Sequence, residues 1–171
     1  PPEVKSRFAL RFIGHIDEPR YREALLQLGD MVSLNGYVPQ REALKLMSET
    51  DYVLMIAHDR LNIPGKFYDY IGSGKPILGC LHPGGDTRRL LEEMRAGWWA
   101  GNHDVEGIRQ LFIDAAARGA SLSREFQPDV ERIAQYERKV LAQRYAALLH
   151  SVAGIPREHE SETPVVQHVG A

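Results

Sequence analysis

The stretch IPGKFYDYIGSGKPILGC, residues 63–80, sets a lysine and an aspartate three residues apart at the start of a short predicted helix. A Pro64–Gly65 corner precedes them, and Gly74-Lys75-Pro76 ends the segment before an apolar run. A helix N-terminus has unpaired N–H groups and a partial positive charge, which suits an anion such as phosphate. Gly65 lets the backbone approach such a group closely, and Lys66 adds a full charge beside it. Asp69 lies one turn on and shares a helix face with Lys66, with Ser73 four residues beyond. Phe67, Tyr70 and Ile71 occupy another, apolar face. A carboxylate offers two acceptor oxygens to a vicinal diol such as that of ribose. The same residues are also compatible with a solvated Lys–Asp pair beside an ordinary glycine turn, and spacing alone leaves both readings open.

The elements that must position these residues alternate. Residues 8–14, 32–36, 52–57 and 76–81 read as strands, and 97–100 as a short one. Residues 19–29, 39–50, 66–74, 86–97 and 104–119 read as helices. The run YVLMIA, residues 52–57, is continuously apolar, as expected of a strand buried on both faces. Residues 127–150 read as one long amphipathic helix, with Ile133, Tyr136, Val140, Leu141, Tyr145 and Leu148 at three-and-four spacing. Strand–helix alternation with apolar strands predicts an α/β fold: a Rossmann-like, doubly wound parallel sheet flanked by helices. Residues 1–154 form the expected domain. Residues 155–171 are polar, lack periodicity and are expected to be a disordered tail. In such sheets ligands bind outside the carboxyl ends of the strands. Three loops leave those ends: 14–18, 58–65 and 82–86.

Composition removes several classes. The chain has 171 residues, 21 basic and 23 acidic, for a formal net charge of -2, so no nucleic-acid footprint is expected. One cysteine, Cys80, excludes a disulfide framework and reads as a small core residue. No apolar run reaches the ~18 residues a membrane span needs. The seven histidines are scattered, and no metal pattern emerges. Trp98 and Trp99 fit a sugar-stacking platform less well than packing. The chain begins Pro-Pro-Glu rather than with Met, which suggests a piece of something longer.

The segment KFYDYIGSGKPIL resembles the donor-binding helix and strand of family-4 glycosyltransferases of the GT-B fold. The residues that carry the likeness are Pro64, Lys66, Phe67, Tyr68, Asp69, Tyr70, Ile71, Gly74, Lys75, Pro76 and Ile77. Upstream, LRFIGHI (10–16) resembles that family's strand ending in a glycine loop. LNGYVPQREALKLMSETDYVLMI (34–56) resembles its Gly-aromatic-Val-Pro segment, helix and following strand. The glycine pair Gly84-Gly85 also fits, and the likeness covers roughly residues 8–149.

The resemblance implies the C-terminal half of a GT-B enzyme, which binds a nucleotide-sugar and transfers its sugar with retention to a glycan or lipid-linked acceptor. It implies a hexosyltransferase of cell-surface polysaccharide biosynthesis, needing no cofactor and no metal. It also implies a cytoplasmic setting, with peripheral attachment to the inner face of the membrane through the remainder of the enzyme. By resemblance Asp69 meets the ribose, Gly65 and Lys66 face the diphosphate after Pro64, Tyr37 and Val38 lie near the base, and Gly14 and His15 line the cleft. No catalytic residue is assigned. Two departures stand out. Leu61 occupies the place of a second family glutamate, and Asp69 is one methylene shorter than the usual ribose-binding acid. The first βα unit, which supplies an Arg and a Lys to the diphosphate, and the N-terminal acceptor domain are both expected to be missing, so the chain alone is expected to be inactive. Rival readings are a GT-B sugar-nucleotide epimerase, a receiver-like binding module and a degenerate transferase domain serving as a partner surface. The receiver-like reading lacks the paired acids it needs at strand ends, which here offer Gly14, Ala57 and Leu81.

Overall fold

A computed structural model describes residues 7–153. The element order is β1 (Leu10–Phe12), α1 (Pro19–Leu26), β2 (Val32–Leu34), α2 (Gln40–Ser48), β3 (Val53–Ala57), α3 (Lys66–Gly72), β4 (Ile77–Leu81), α4 (Asp86–Glu93), β5 (Gly97–Gly101), α5 (Val105–Arg118), α6 (Leu122–Glu125), α7 (Val130–Ala134) and α8 (Arg138–Ala153). Short 3-10 turns at Gly29–Met31 and Gly119–Ser121 complete the series. The chain divides into two compact units, the first running to Ile133 and the second beginning at Ala134. The expected tail lies outside the described residues.

All strand pairs are parallel, and helices follow the strands, so the α/β class stands. The strands form two sheets rather than one: β1 pairs with β2, and β3-β4-β5 make a separate three-stranded sheet. No ladder joins the two among the described residues. In the larger sheet Val53 through Ala57 register with Ile77 through Leu81, which register in turn with Gly97 through Gly101.

The core belongs to the second sheet. All five residues of β4 are buried, which explains its unbroken apolar run. Val53, Met55 and Ala57 of β3 are buried too, but Ile56 is 52 % exposed, so β3 is not covered on both faces as its sequence predicts. The reason is position: β3 is an edge of its sheet, and one face there lacks a full cover. On the face toward α5, Leu78 and Ala100 pack with Leu111 and Ala115, and Tyr52, Leu54, Trp98, Ile108 and Phe112 close the cluster. The Tyr52 hydroxyl donates to the Ala115 carbonyl at 3.1 Å. Elsewhere Phe67, Ile71, Leu90, Leu91 and Met94 are buried, with α4 lying against β4 and β5. Burial pushes the Cys80 thiol up from its ordinary range.

The first sheet contrasts sharply. From Arg7 to Thr50 no residue is buried, β1, β2, α1 and α2 included. One tie to the core is Phe8, just before β1, which meets Phe112 edge-on with ring centroids 5.5 Å apart. A two-stranded sheet is marginal without further cover.

The predicted helix over 127–150 is two helices. α7 ends at Ala134, the Glu137 amide bonds the Ala134 carbonyl at 3.1 Å, and α8 starts at Arg138. The start of α7 is held to the core by the Asp129 amide on the Met94 carbonyl at 2.8 Å. Neither proline nor glycine stands at the break, so the apolar spacing runs across it unmarked.

Two outcomes follow. Gly97 has φ 155, and a Cβ there would sit 2.0 Å from the Ile77 carbonyl oxygen. Gly97→Ala is therefore expected to destabilise the chain by about 2 kcal/mol or more in urea unfolding, through backbone strain and a core clash. Gly84→Ala, whose nearest neighbour would be at 3.6 Å, serves as the neutral control. Second, a buried thiol held up in pKa is little ionised, so Cys80 in the folded chain should react with a disulfide reagent at pH 8 far more slowly than in the unfolded chain.

Candidate functional site

The sequence-predicted residues gather in two places, each at strand carboxyl ends. Past β1 and β2, the Gly14 amide donates to the Gly36 carbonyl at 2.6 Å, and the Asn35 amide to the Phe12 carbonyl at 2.9 Å. Gly14 (φ 115) and Gly36 (φ 63) both adopt conformations that favour glycine, which lets the two loops meet as a bridge. That bridge brings together Gly14, which precedes His15, and Gly36, which precedes Tyr37 and Val38. Tyr37 is 75 % exposed, so its ring is open to solvent.

Past β3, the loop 58–65 leads into α3. Phe67 and Ile71 face the core and fix the rotation of the helix. Lys66 and Asp69 thereby face solvent. They make no ion pair with each other or with any other group among the described residues. The first-turn amides of Phe67 and Tyr68 bond back to Pro64 and Gly65, at 2.8 and 3.2 Å. The amides of Gly65 and Lys66 have no acceptor among the described residues. Ser73 is occupied structurally: its hydroxyl donates to the Tyr70 carbonyl at 2.6 Å and accepts from the Lys75 amide at 3.2 Å. Burial, with the neighbouring Asp69 charge, pushes the Tyr70 phenol up.

The two groups are not joined: no hydrogen bond links residues 14–38 to residues 58–69 among the described residues. No group of three or more His, Cys, Asp or Glu that could hold a metal ion is present among them either.

Sequence reasoning missed the clamp that holds the 58–65 loop. The Asp86 amide donates to the Arg60 carbonyl at 2.9 Å, and the buried Thr87 hydroxyl donates to the Asn62 carbonyl at 3.1 Å. Gly85 approaches so closely that a Cβ would lie 3.3 Å from the Asp59 carbonyl oxygen. The start of α4 thus sets the loop that presents Pro64 to Asp69. Also missed was His58, whose Nδ1 lies 3.1 Å from Asn102 Nδ2 and ties the ends of β3 and β5 together. The signal available for the clamp was the Gly-Gly-Asp-Thr run itself.

Trp98 and Trp99 line a groove of about 620 Å³ along the edge of β5. Their rings are already partnered. The Arg118 guanidinium lies 4.0 Å over Trp98, and Arg88 lies 5.5 Å over Trp99, whose indole N–H donates to Glu92 at 2.8 Å. They are packing residues rather than a bare stacking platform.

No family model matches the chain. It is similar to "Putative colanic acid biosynthesis glycosyltransferase WcaL" of Salmonella typhimurium, at 25% identity over 122 residues, which is 68% of this chain and 28% of the relative. The protein of the same name in Escherichia coli K12 is 24% identical over 136 residues, covering 74% of this chain and 32% of the relative. The chain thus spans less than a third of the length of either relative. No helix among the described residues is long and apolar enough to cross a membrane.

The clamp gives a prediction. Thr87→Val keeps the shape and removes one hydrogen bond to Asn62, so stability should fall by about 1 kcal/mol. The Asp86 amide, which is held on the Arg60 carbonyl of this loop, should exchange measurably faster in the variant, while the amides of β4 stay unchanged.

Proposed function

We propose that this chain is the nucleotide-sugar-binding portion of a retaining glycosyltransferase that passes a hexosyl group to a glycan or lipid-linked acceptor. The observation that carries the reading is the placement of Lys66 and Asp69. They stand on a helix fixed by its buried face, just past a strand carboxyl end, unpaired and open to solvent. The low-identity likeness to glycosyltransferases points the same way.

In this reading the diphosphate lies against the amides of Gly65 and Lys66 and the Lys66 ammonium. The Asp69 carboxylate accepts from the ribose hydroxyls. Tyr37 and Val38 lie toward the base, with Gly14 and His15 on the cleft wall. During transfer the bond between the anomeric carbon and the diphosphate oxygen breaks, and charge collects on the departing diphosphate. Lys66 and the fixed amides offset that charge most strongly as it develops, which lowers the barrier. The acceptor oxygen bonds to the anomeric carbon on the face the diphosphate leaves, and its proton passes to the departing diphosphate oxygen. The reading requires no metal, and it leaves acceptor binding and further diphosphate-binding cations to another part of the enzyme. It places the protein in the cytoplasm, acting on an acceptor at the inner face of the membrane.

The test is a ligand-observed NMR titration of the chain with UDP, GDP, ADP and CDP. One diphosphate is expected to bind, and Asp69→Ala and Lys66→Ala should each weaken it about tenfold, the loss of one charge-assisted hydrogen bond. Binding that both variants leave unchanged, or no binding at millimolar ligand, would count against the reading. The isolated chain is expected to transfer no sugar, and robust turnover would overturn that part.

A further inference from the structure

β5 forms one edge of the three-stranded sheet, and no strand among the described residues pairs with its outer side. Successive residues of a strand turn their backbone groups to opposite sides. The Ile77 amide donates to the Ala96 carbonyl and the Asn102 amide to the Leu81 carbonyl, both at 2.9 Å, so Trp98 and Ala100 face β4. Gly97, Trp99 and Gly101 therefore turn outward. The Gly101 carbonyl accepts from the Asp104 amide at 2.9 Å. The amides of Trp99 and Gly101 and the carbonyls of Gly97 and Trp99 have no partner among the described residues. Charges, prolines and bulges usually blunt such an edge, and the unbroken run GWWAG has none of them. The groove of about 620 Å³ follows this edge from Gly97 to Gly101. Trp98 walls it toward α5, beneath Arg118, and Trp99 walls it toward α4, beside Glu92. Its lining carries the carboxylates of Glu92, Asp104 and Asp114 against one cation, Arg118. Glu92 is paired with Arg88, and Arg118 with Glu125. Asp104 and Asp114 make no ion pair among the described residues and accept from neutral groups, the Gly107 amide and the Gln110 side chain.

We propose that the outer edge of β5 is a docking site for an extended basic peptide, which adds to the sheet as a fourth strand. Main-chain hydrogen bonds to Gly97, Trp99 and Gly101 supply the affinity, and alternate side chains supply the specificity. Successive side chains of an extended peptide point to opposite faces. One set meets Asp104 and Asp114 on the side of α5, and the other meets Trp99 and Glu92 on the side of α4. Charge complementarity selects the occupant, because a Lys or Arg of the peptide gives Asp104 and Asp114 the cation they lack. A second copy paired edge to edge would set the same carboxylates against each other. None of the lining residues belongs to the candidate nucleotide-sugar site, so the docking site stands whether or not that reading does.

The experiment is residue-resolved amide exchange by NMR on the whole chain, with the capped peptide Lys-Val-Thr-Val-Lys-Val-Thr as probe. In the free chain the amides of Trp99 and Gly101 should exchange faster than those of Trp98 and Ala100, and the peptide should slow them. A twin peptide with Glu in place of both Lys should bind at least about tenfold more weakly, since two attractions become repulsions. Methylating the peptide's backbone nitrogens at alternate residues should remove binding in one register and spare it in the other, which charge attraction alone does not produce. Asp114→Lys should weaken binding about fivefold, and urea unfolding checks that the variant folds. The peptide comparisons use the unaltered chain and decide the matter even if that variant does not fold. The proposal is overturned if millimolar peptide leaves the Trp99 and Gly101 amides unprotected, if the acidic twin binds equally well, or if both methylated registers bind alike. It is overturned too if those amides are already slow in the dilute free chain, or slow only as chain concentration rises. The chain itself covers the edge in the first case, and a second copy does in the other.

Discussion

The described fold depends on the complete burial of β4. Ile77 to Leu81 have no face open to water, and both neighbours, β3 and β5, are placed by pairing with this strand. Burying Ile77, Leu78 and Leu81 contributes roughly 1.5–3 kcal/mol each from apolar transfer. The same strand demands a glycine opposite Ile77, because no Cβ fits at Gly97. Everything at the carboxyl ends inherits its place from this ladder. The 58–65 loop leaves β3, the Gly84–Gly85 turn leaves β4, and Asn102 leaves β5 to meet His58.

The candidate site follows from that order by a division of labour. Phe67 and Ile71 bury one face of α3, so the residues at the other face, Lys66 and Asp69, have no choice but to face water. Gly85 and Thr87 at the start of α4 then fix the loop before them. In the proposed reading these two charged groups, held in place by a packed helix, are the ones that meet the incoming ligand. The β1–β2 loops are different. Their glycine bridge sets local geometry, but no buried side chain supports it. Stability is therefore uneven, and the half bearing Tyr37 opens at lower free energy than the half bearing Asp69.

Much of this was legible in the sequence, and the parts that were not share a cause. β4 and α3 could be read because their pattern is local: an unbroken apolar run, and Phe67 and Ile71 four apart. The split into two sheets could not, since alternation of strand and helix announces parallel crossovers but not which strands are neighbours. The exposure of Ile56 escaped for the same reason, as an edge position is a property of the sheet and not of YVLMIA. The Thr87–Asn62 bond joins residues 25 apart and leaves no periodicity. The break after Ala134 carries no proline or glycine, so spacing alone ran α7 into α8. At the site, residue types suggested phosphate and diol chemistry, but only the structure shows that Lys66 and Asp69 leave each other free.

The central claim is that the β1–β2 loops and the start of α3 serve one ligand. Hydrogen exchange read by mass spectrometry, on the chain with and without a saturating nucleoside diphosphate, tests it most directly. Slower exchange in both 13–16 with 36–38 and 64–69, and nowhere remote from them, is the predicted result. Protection confined to one of the two segments, or centred on the β5 groove, would contradict the account.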